Sequence, residues 1–231
     1  MKMQIKGKKG ELTTKQLVTI IILIVSFIII LFLIFRLNLG ETSDKEICRN
    51  SVVLRGQSEL TSGPLDCKTN YITISTENKG EIMKAIAEEM ADCWWQFGEG
   101  KINYGVSEIF EQRVEYVICS IIDFNEKTQG KVSEISYSEF YSFLQTGNKS
   151  TSQTYLQYLY SISNVNSFSP QSQVQTNIAQ DRILTNQKYS VITGIDNNPT
   201  PTDDIILKVY IIPTSETSSR LDVNREFITK S

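Results

Sequence analysis

Histidine is absent from the 231 residues of this chain. That removes Ser-His-Asp and Cys-His nucleophile arrangements and any imidazole ligand for a metal. Cysteine is limited to Cys48, Cys67, Cys93 and Cys119. No two of them stand as Cys-x-x-Cys, which argues against a thioredoxin-like centre or a zinc ribbon. No glycine-rich phosphate loop and no nucleophile elbow is present. Positive charge is short beyond Arg36: of 23 cations and 26 acids, 17 and 25 lie after it, a net charge of −8. A surface of that sign repels phosphate backbones, so no nucleic-acid partner is expected. No catalytic residue, cofactor or metal is expected. Asp196, Asp203 and Asp204 lack the spacing of a calcium loop and are accounted for as turn formers.

What the chain does have is one long apolar run. Residues 17–35 carry no charge, and only Thr19 and Ser26 interrupt them as polar groups. As a helix they span roughly 28 Å, close to the ~30 Å hydrocarbon core of a bilayer. Their side chains favour insertion by about 5–8 kcal/mol. Lys2, Lys6, Lys8, Lys9 and Lys15 precede the run against Glu11 alone, and Arg36 is the one cation close behind it. The positive-inside bias makes residues 1–16 a cytoplasmic basic flank, 17–36 a transmembrane signal anchor, and the remainder extracytoplasmic. A cleaved signal peptide would have an apolar region of about 7–15 residues and a small-x-small site. Arg36-Leu37-Asn38-Leu39-Gly40-Glu41 offers no such site. The run has no ionisable residue and no pair of small residues four apart, so its partner is the lipid bilayer and its task is anchoring.

Residues 37–213 read as one α+β domain. Ser43-Asp44-Lys45-Glu46 is a capping box that predicts a short helix through Ile47, Ser51 and Leu54, ending at Arg55-Gly56. Ser62-Gly63-Pro64 marks a turn, and residues 66–76 alternate as a strand. Residues 79–97 form the clearest soluble helix. Asn78 caps it with Glu81 at the reciprocal position, and Ile82, Ile86, Met90, Cys93 and Phe97 make one apolar stripe. Lys84, Glu88 and Asp92 line the opposite, solvated side. Residues 115–124 are apolar on both faces, with Val117, Cys119 and Ile121 on one and Tyr116, Ile118 and Ile122 on the other. That pattern predicts a central strand. Residues 125–131 read as a loop around Gly130. A second capping box at Ser136-Tyr137-Ser138-Glu139 opens a helical hairpin over 137–145 and 153–162, with Phe140, Phe143, Leu144, Leu156 and Leu159 inward. Residues 163–180 form a polar loop. The β-branched runs 189–195 and 205–212 pair as a long-looped hairpin at the edge of the sheet. Residues 214–231 form a polar tail, frayed except where Leu221, Val223, Phe227 and Ile228 leave room for a docked piece.

Four cysteines, all on the outer side, predict two disulfides. Sequence leaves three pairings open. Cys93 lies on a buried helix stripe and Cys119 in a central strand, so Cys93–Cys119 is preferred, and Cys48–Cys67 follows by exclusion. Each closes a loop of about 20–27 residues, worth roughly 3 kcal/mol in the chain-entropy picture. Trp94-Trp95-Gln96-Phe97, followed by Gly98-Glu99-Gly100 and Tyr104, is the most unusual local feature. Adjacent helical tryptophans point about 100° apart, so one of Trp94 and Trp95 can face a ligand groove with Phe97 and Tyr104 and stack on a sugar or peptide. Core packing of the same aromatics is the competing reading. Asn148-Lys149-Ser150 is an acceptor sequon for glycosylation.

Lys8-Lys9-Gly10-Glu11 ahead of an apolar helix resembles a type IV prepilin or archaeal class III signal. The resemblance implies cleavage after Gly10 and polymerisation of the helix. Lys15 stands where pilins usually carry Glu, which departs from that pattern. A larger set of motifs is similar to a family of single-pass membrane proteins of small-genome archaea. It comprises Glu11-Leu12-Thr13-Thr14, Ile47-Cys48, Leu65-Asp66-Cys67-Lys68-Thr69, Ala91-Asp92-Cys93-Trp94-Trp95, Cys119-Ser120-Ile121-Ile122 and Thr154-Tyr155-Leu156-Gln157-Tyr158-Leu159-Tyr160. That likeness implies architecture and location and no particular activity.

These readings converge on a cell-membrane protein with a single N-terminal transmembrane helix, its N-terminus inside. The rest is one disulfide-stapled, extracytoplasmic mixed helix/sheet domain. Its expected role is a surface binding or structural module with a protein or glycan partner. A pilin-like filament subunit is the second reading. A surface hydrolase is the third, and it requires two carboxylates converging in a cleft with perturbed pKa values.

Overall fold

The computed structural model describes residues 14–36, 39–57, 65–105, 113–167, 181–197, 205–221 and 225–227. It divides into two compact units, Met1–Ser43 and Asp44–Ser231. In the first, α1 (Thr14–Arg36) is one uninterrupted helix. Its side chains are described over residues 16–32, and all of them are exposed. No helix among the described residues is long and apolar enough to cross a membrane, so the transmembrane helix expected over 17–36 finds no support in the structure.

Helix α2 (Leu39–Gln57) leads into the second unit. It begins before Ser43, so the expected capping box lies inside the helix. Its buried stripe also differs from the expected one: Cys48 and Val52, one turn apart, are buried, while Ile47 and Leu54 are about half exposed or more. The Cys48–Cys67 disulfide sets that rotation. Beside it, the Ser51 hydroxyl donates to the Cys48 carbonyl at 2.8 Å and accepts from the Asp66 amide at 3.2 Å.

The sheet is built from β1 (Asn70–Ile74), β2 (Arg113–Phe124), β7 (Tyr189–Asn197), β8 (Ile205–Pro213) and β9 (Arg225–Phe227), in the order β1-β2-β7-β8 with β9 also on β2. Strand β2 is central, as its two apolar faces predict. It is 12 residues long and β1 only 5. Strand β1 therefore pairs in parallel with Ser120–Phe124, and β9 pairs in parallel with Val114–Tyr116. The antiparallel pair β7/β8 forms as expected, but β7 is interior, hydrogen-bonded to β2, and only β8 takes the edge.

Register departs from simple alternation at Cys119. Ile118 faces Ile192 and Ser120 faces Val191, so Cys119 is an extra residue in the ladder. Val117 and Cys119 belong to the main core, and after the bulge Ile122 and Phe124 continue it. Ile122 thus shares a face with Cys119, where alternation had assigned that place to Ile121. Val114, Tyr116, Ile192, Leu207, Tyr210 and Ile212 form a second cluster on the other face.

Helix α3 (Lys79–Gln96) buries the whole expected stripe, and Met83, Ala87, Ala91 and Trp94 as well. It is covered broadly because it packs on β7 and β8 and also against α5 (Tyr137–Thr146) and α6 (Tyr155–Tyr160). Asn78 caps it, accepting from the Gly80 and Glu81 amides at 2.8 and 3.2 Å. The expected return bond from Glu81 runs through Thr76, whose hydroxyl accepts from the Asn78 amide and donates to Glu81. The Cys93–Cys119 disulfide joins α3 to β2 with Cα atoms 5.6 Å apart, and Cys48–Cys67 is the second bridge. Both preferred pairings are therefore present.

The expected loop over 125–131 is instead a short helix, α4 (Glu126–Lys131). Asn125 caps it through the Thr128 amide at 2.9 Å, and the buried Thr128 hydroxyl donates to the Thr76 carbonyl at 2.8 Å. A small pair, β3 (Glu134–Ser136) and β6 (Arg182–Leu184), flanks the start of α5. Helices α5 and α6 pack together as predicted, joined by the ribbon β4 (Asn148–Ser150) and β5 (Gln153–Thr154). After β8 the chain keeps its structure through α7 (Thr217–Arg220). Arg220 pairs with Asp181 at 2.5 Å and Glu216 at 2.6 Å, and Leu221 packs into the second cluster. The Ser62-Gly63-Pro64 turn, most of the 163–180 loop, Asp203, Asp204, Val223 and Ile228 lie outside the described residues.

Candidate functional site

The C-terminal end of α3 is where charged and aromatic side chains gather. Trp94 and Trp95 splay apart as adjacent helical residues must. Trp94 is buried, with the Lys208 ammonium 4.8 Å above its ring. Burial also pulls the Lys208 pKa below its ordinary value. Trp95 is half-buried. The Arg49 guanidinium lies 4.5 Å over its ring and donates to its carbonyl. Phe97 and Tyr104 are buried against each other, centroids 5.2 Å apart and planes tilted by 60°. Trp94, Phe97 and Tyr104 are thus core residues, and of the four aromatics expected to line a groove only Trp95 reaches the surface.

Beyond α3 the chain turns through Gly98, Glu99 and Gly100, all at positive φ. A Cβ on Gly100 would sit 2.9 Å from the Trp94 ring, so the turn folds onto that tryptophan. The turn presents Glu99, which accepts from the Tyr158 hydroxyl at 2.8 Å and pairs with Lys101 at 3.3 Å. Burial works to raise the Glu99 pKa. The Tyr158 hydroxyl, the Lys101 ammonium and the Arg49 guanidinium outweigh it and leave the carboxyl below its ordinary value. Tyr158 is pushed well above the ordinary tyrosine value by burial and by Glu99. Lys45 adds a contact to Asp92 at 2.8 Å and to Glu89 at 3.7 Å. Arg49, Trp95, Glu99 and Tyr158 together form an aromatic shelf edged by both signs of charge. Such a shelf can stack on a planar or sugar ring and offers donors and an acceptor beside it.

A second polar group is internal. Glu115 is 2% exposed. Its charge raises the Arg55 pKa against the burial that lowers it, and adds to the burial that raises Tyr104. The Tyr104 hydroxyl makes no direct hydrogen bond among the described residues, although the Thr193 hydroxyl is near it. Among the described residues, Asp196 is the other buried carboxylate of the sheet. It stands opposite Val114, whereas Glu115 stands opposite Ile195. Cross-strand partners share a face, so Glu115 and Asp196 point to opposite sides of the sheet and do not converge. Reading the strand from its apolar residues hid Glu115, and the signal that could have found it is a carboxylate at the head of a long apolar run. Among the described residues no group of histidines, cysteines or acids is placed to hold a metal. Asn148 is exposed on β4, at the end of the α5/α6 hairpin away from the shelf in sequence.

No family model matches this chain, and no curated protein or solved structure shows significant similarity to it.

Proposed function

We propose that the protein is a membrane-anchored binding or structural module whose disulfide-stapled domain stands outside the cell. The observation that carries this reading is the pair of disulfides, each with both cysteines buried in the second unit. Paired cysteines persist in oxidising, extracytoplasmic compartments. The anchor rests on the sequence: residues 17–35 form one uncharged apolar run, and nineteen such residues match the ~30 Å hydrocarbon core. The lysine-rich flank before it favours a cytoplasmic N-terminus. The Arg49–Trp95–Glu99–Tyr158 shelf is the surface to which we assign a glycan or peptide partner.

Protease added to intact cells should remove the large domain, and maleimide should label it only after reduction. A domain that survives external protease while all four thiols react sinks the proposal. Trp95→Ala should abolish any glycan or peptide binding found on an array and leave thermal unfolding within a few degrees.

A further inference from the structure

Asn148 sits in a setting that the shelf does not use. Residues 148–153 are all exposed, an unbroken run in an otherwise packed part of the domain. Strands β4 and β5 pair only at Asn148–Thr154 and Ser150–Gln153, with Lys149 as the extra residue between them. The base of the ribbon is fixed: the Gly147 amide donates to the Phe143 carbonyl at 2.7 Å, and the Tyr155 amide donates to the Gly147 carbonyl at 3.0 Å. The tip is held forward by α5 and α6, yet two pairings are few enough to open at little cost. The Asn148 carboxamide makes no hydrogen bond among the described residues, so nothing competes for its nitrogen. Elsewhere in the chain Asn198-Pro199-Thr200 has the outer residues of the same pattern, but its proline forbids the acceptor conformation.

We infer that Asn148 carries an N-linked glycan. This rests on the extracytoplasmic location proposed above, since the acceptor pattern is used on exported chains. The co-substrate is a lipid-linked oligosaccharide phosphate. Asn148 Nδ2 attacks the anomeric carbon, forming the N–C bond. The bond from that carbon to the phosphate oxygen breaks, and the lipid phosphate leaves with its electron pair. One amide proton passes to a base on the transferase, and nothing is oxidised or reduced. The Ser150 hydroxyl serves as the recognition element two residues on.

The test is mass spectrometry of chymotryptic peptides from the full chain, isolated from the membranes of its native cells. The peptide holding Asn148 should carry hexose or N-acetylhexosamine increments. Asn148→Gln and Ser150→Ala should lose them entirely, and Ser150→Thr should keep them. An unmodified Asn148 in protein that external protease digests overturns the inference and leaves the location standing. An unmodified Asn148 in protein that external protease spares overturns both.

Discussion

Glu99 holds a left-handed backbone, φ 58° and ψ 32°, between two glycines that are also at positive φ. A residue with a Cβ costs about 1–2 kcal/mol there relative to glycine, so its carboxylate must offset that cost through contacts. It does so with Tyr158 and Lys101. The sign follows from the lowered pKa. A carboxyl whose folded value is depressed stabilises the fold above its unfolded value of about 4.3, and that contribution disappears as pH falls through the folded value. Glu99→Gln should therefore lower the urea midpoint at about pH 6, and by less at about pH 2.5, because the wild-type carboxyl takes up its proton as pH falls. An equal gap at both pH values would show that the charge is irrelevant. None of this was readable beforehand. Gly98-Glu99-Gly100 announced only a helix end, because Tyr158 arrives from a helix 59 residues later. The tryptophans were readable in part: the 100° splay allowed one to reach the surface, and packing of Lys208 and Gly100 onto Trp94 decided which.

At the scale of elements, strand β8 lies at the edge of the sheet and would expose a row of backbone groups. The helical hairpin covers it with two tyrosines. Tyr137 donates to the Ile211 carbonyl and Tyr160 to the Val209 carbonyl, both at 2.7 Å, and both rings are buried. Residues 209 and 211 are alternate positions, so their carbonyls point away from β7 on the same side of the strand. Tyr137→Phe or Tyr160→Phe keeps the ring and strands a buried carbonyl, which should cost about 1–3 kcal/mol in urea unfolding. Tyr71→Phe, at an exposed strand position, should change nothing measurable. Losses at the buried pair no larger than at Tyr71 would refute the capping role. Helix α3, strand β2 and the α5/α6 pair were legible because 3.6-residue stripes and an apolar run on both faces need no tertiary information. The bulge at Cys119 was not, since residues 118–122 are apolar enough to suit either register. Strand β9 was not legible either, being three residues fitted to the half of β2 that β1 leaves open.

For the molecule as a whole, the two disulfides hold different things. Their loops, 19 and 26 residues apart in sequence, differ by only a few tenths of a kcal/mol in closure entropy. What separates them is where they act. Cys93–Cys119 joins the most broadly buried helix to the central strand at its bulge. Cys48–Cys67 ties α2 to the approach of β1, helped by Lys45 on Asp92 and Arg49 on Trp95. Removing the first should loosen α3 and the sheet together, lowering global stability by about 2–5 kcal/mol. Removing the second should release α2 while the sheet persists, because among its described residues α2 then keeps one buried apolar side chain, Val52, beside polar contacts such as Lys45 on Asp92. Hydrogen exchange on Cys93→Ser/Cys119→Ser and Cys48→Ser/Cys67→Ser variants tells these apart. In the second variant amides of residues 44–57 should lose protection, while β2 and β7 keep theirs. Uniform loss across the domain in both variants would mean that α2 is part of the cooperative core. Helix α2 would then be no separable strap, and reduction would threaten the fold itself rather than the attachment of α2.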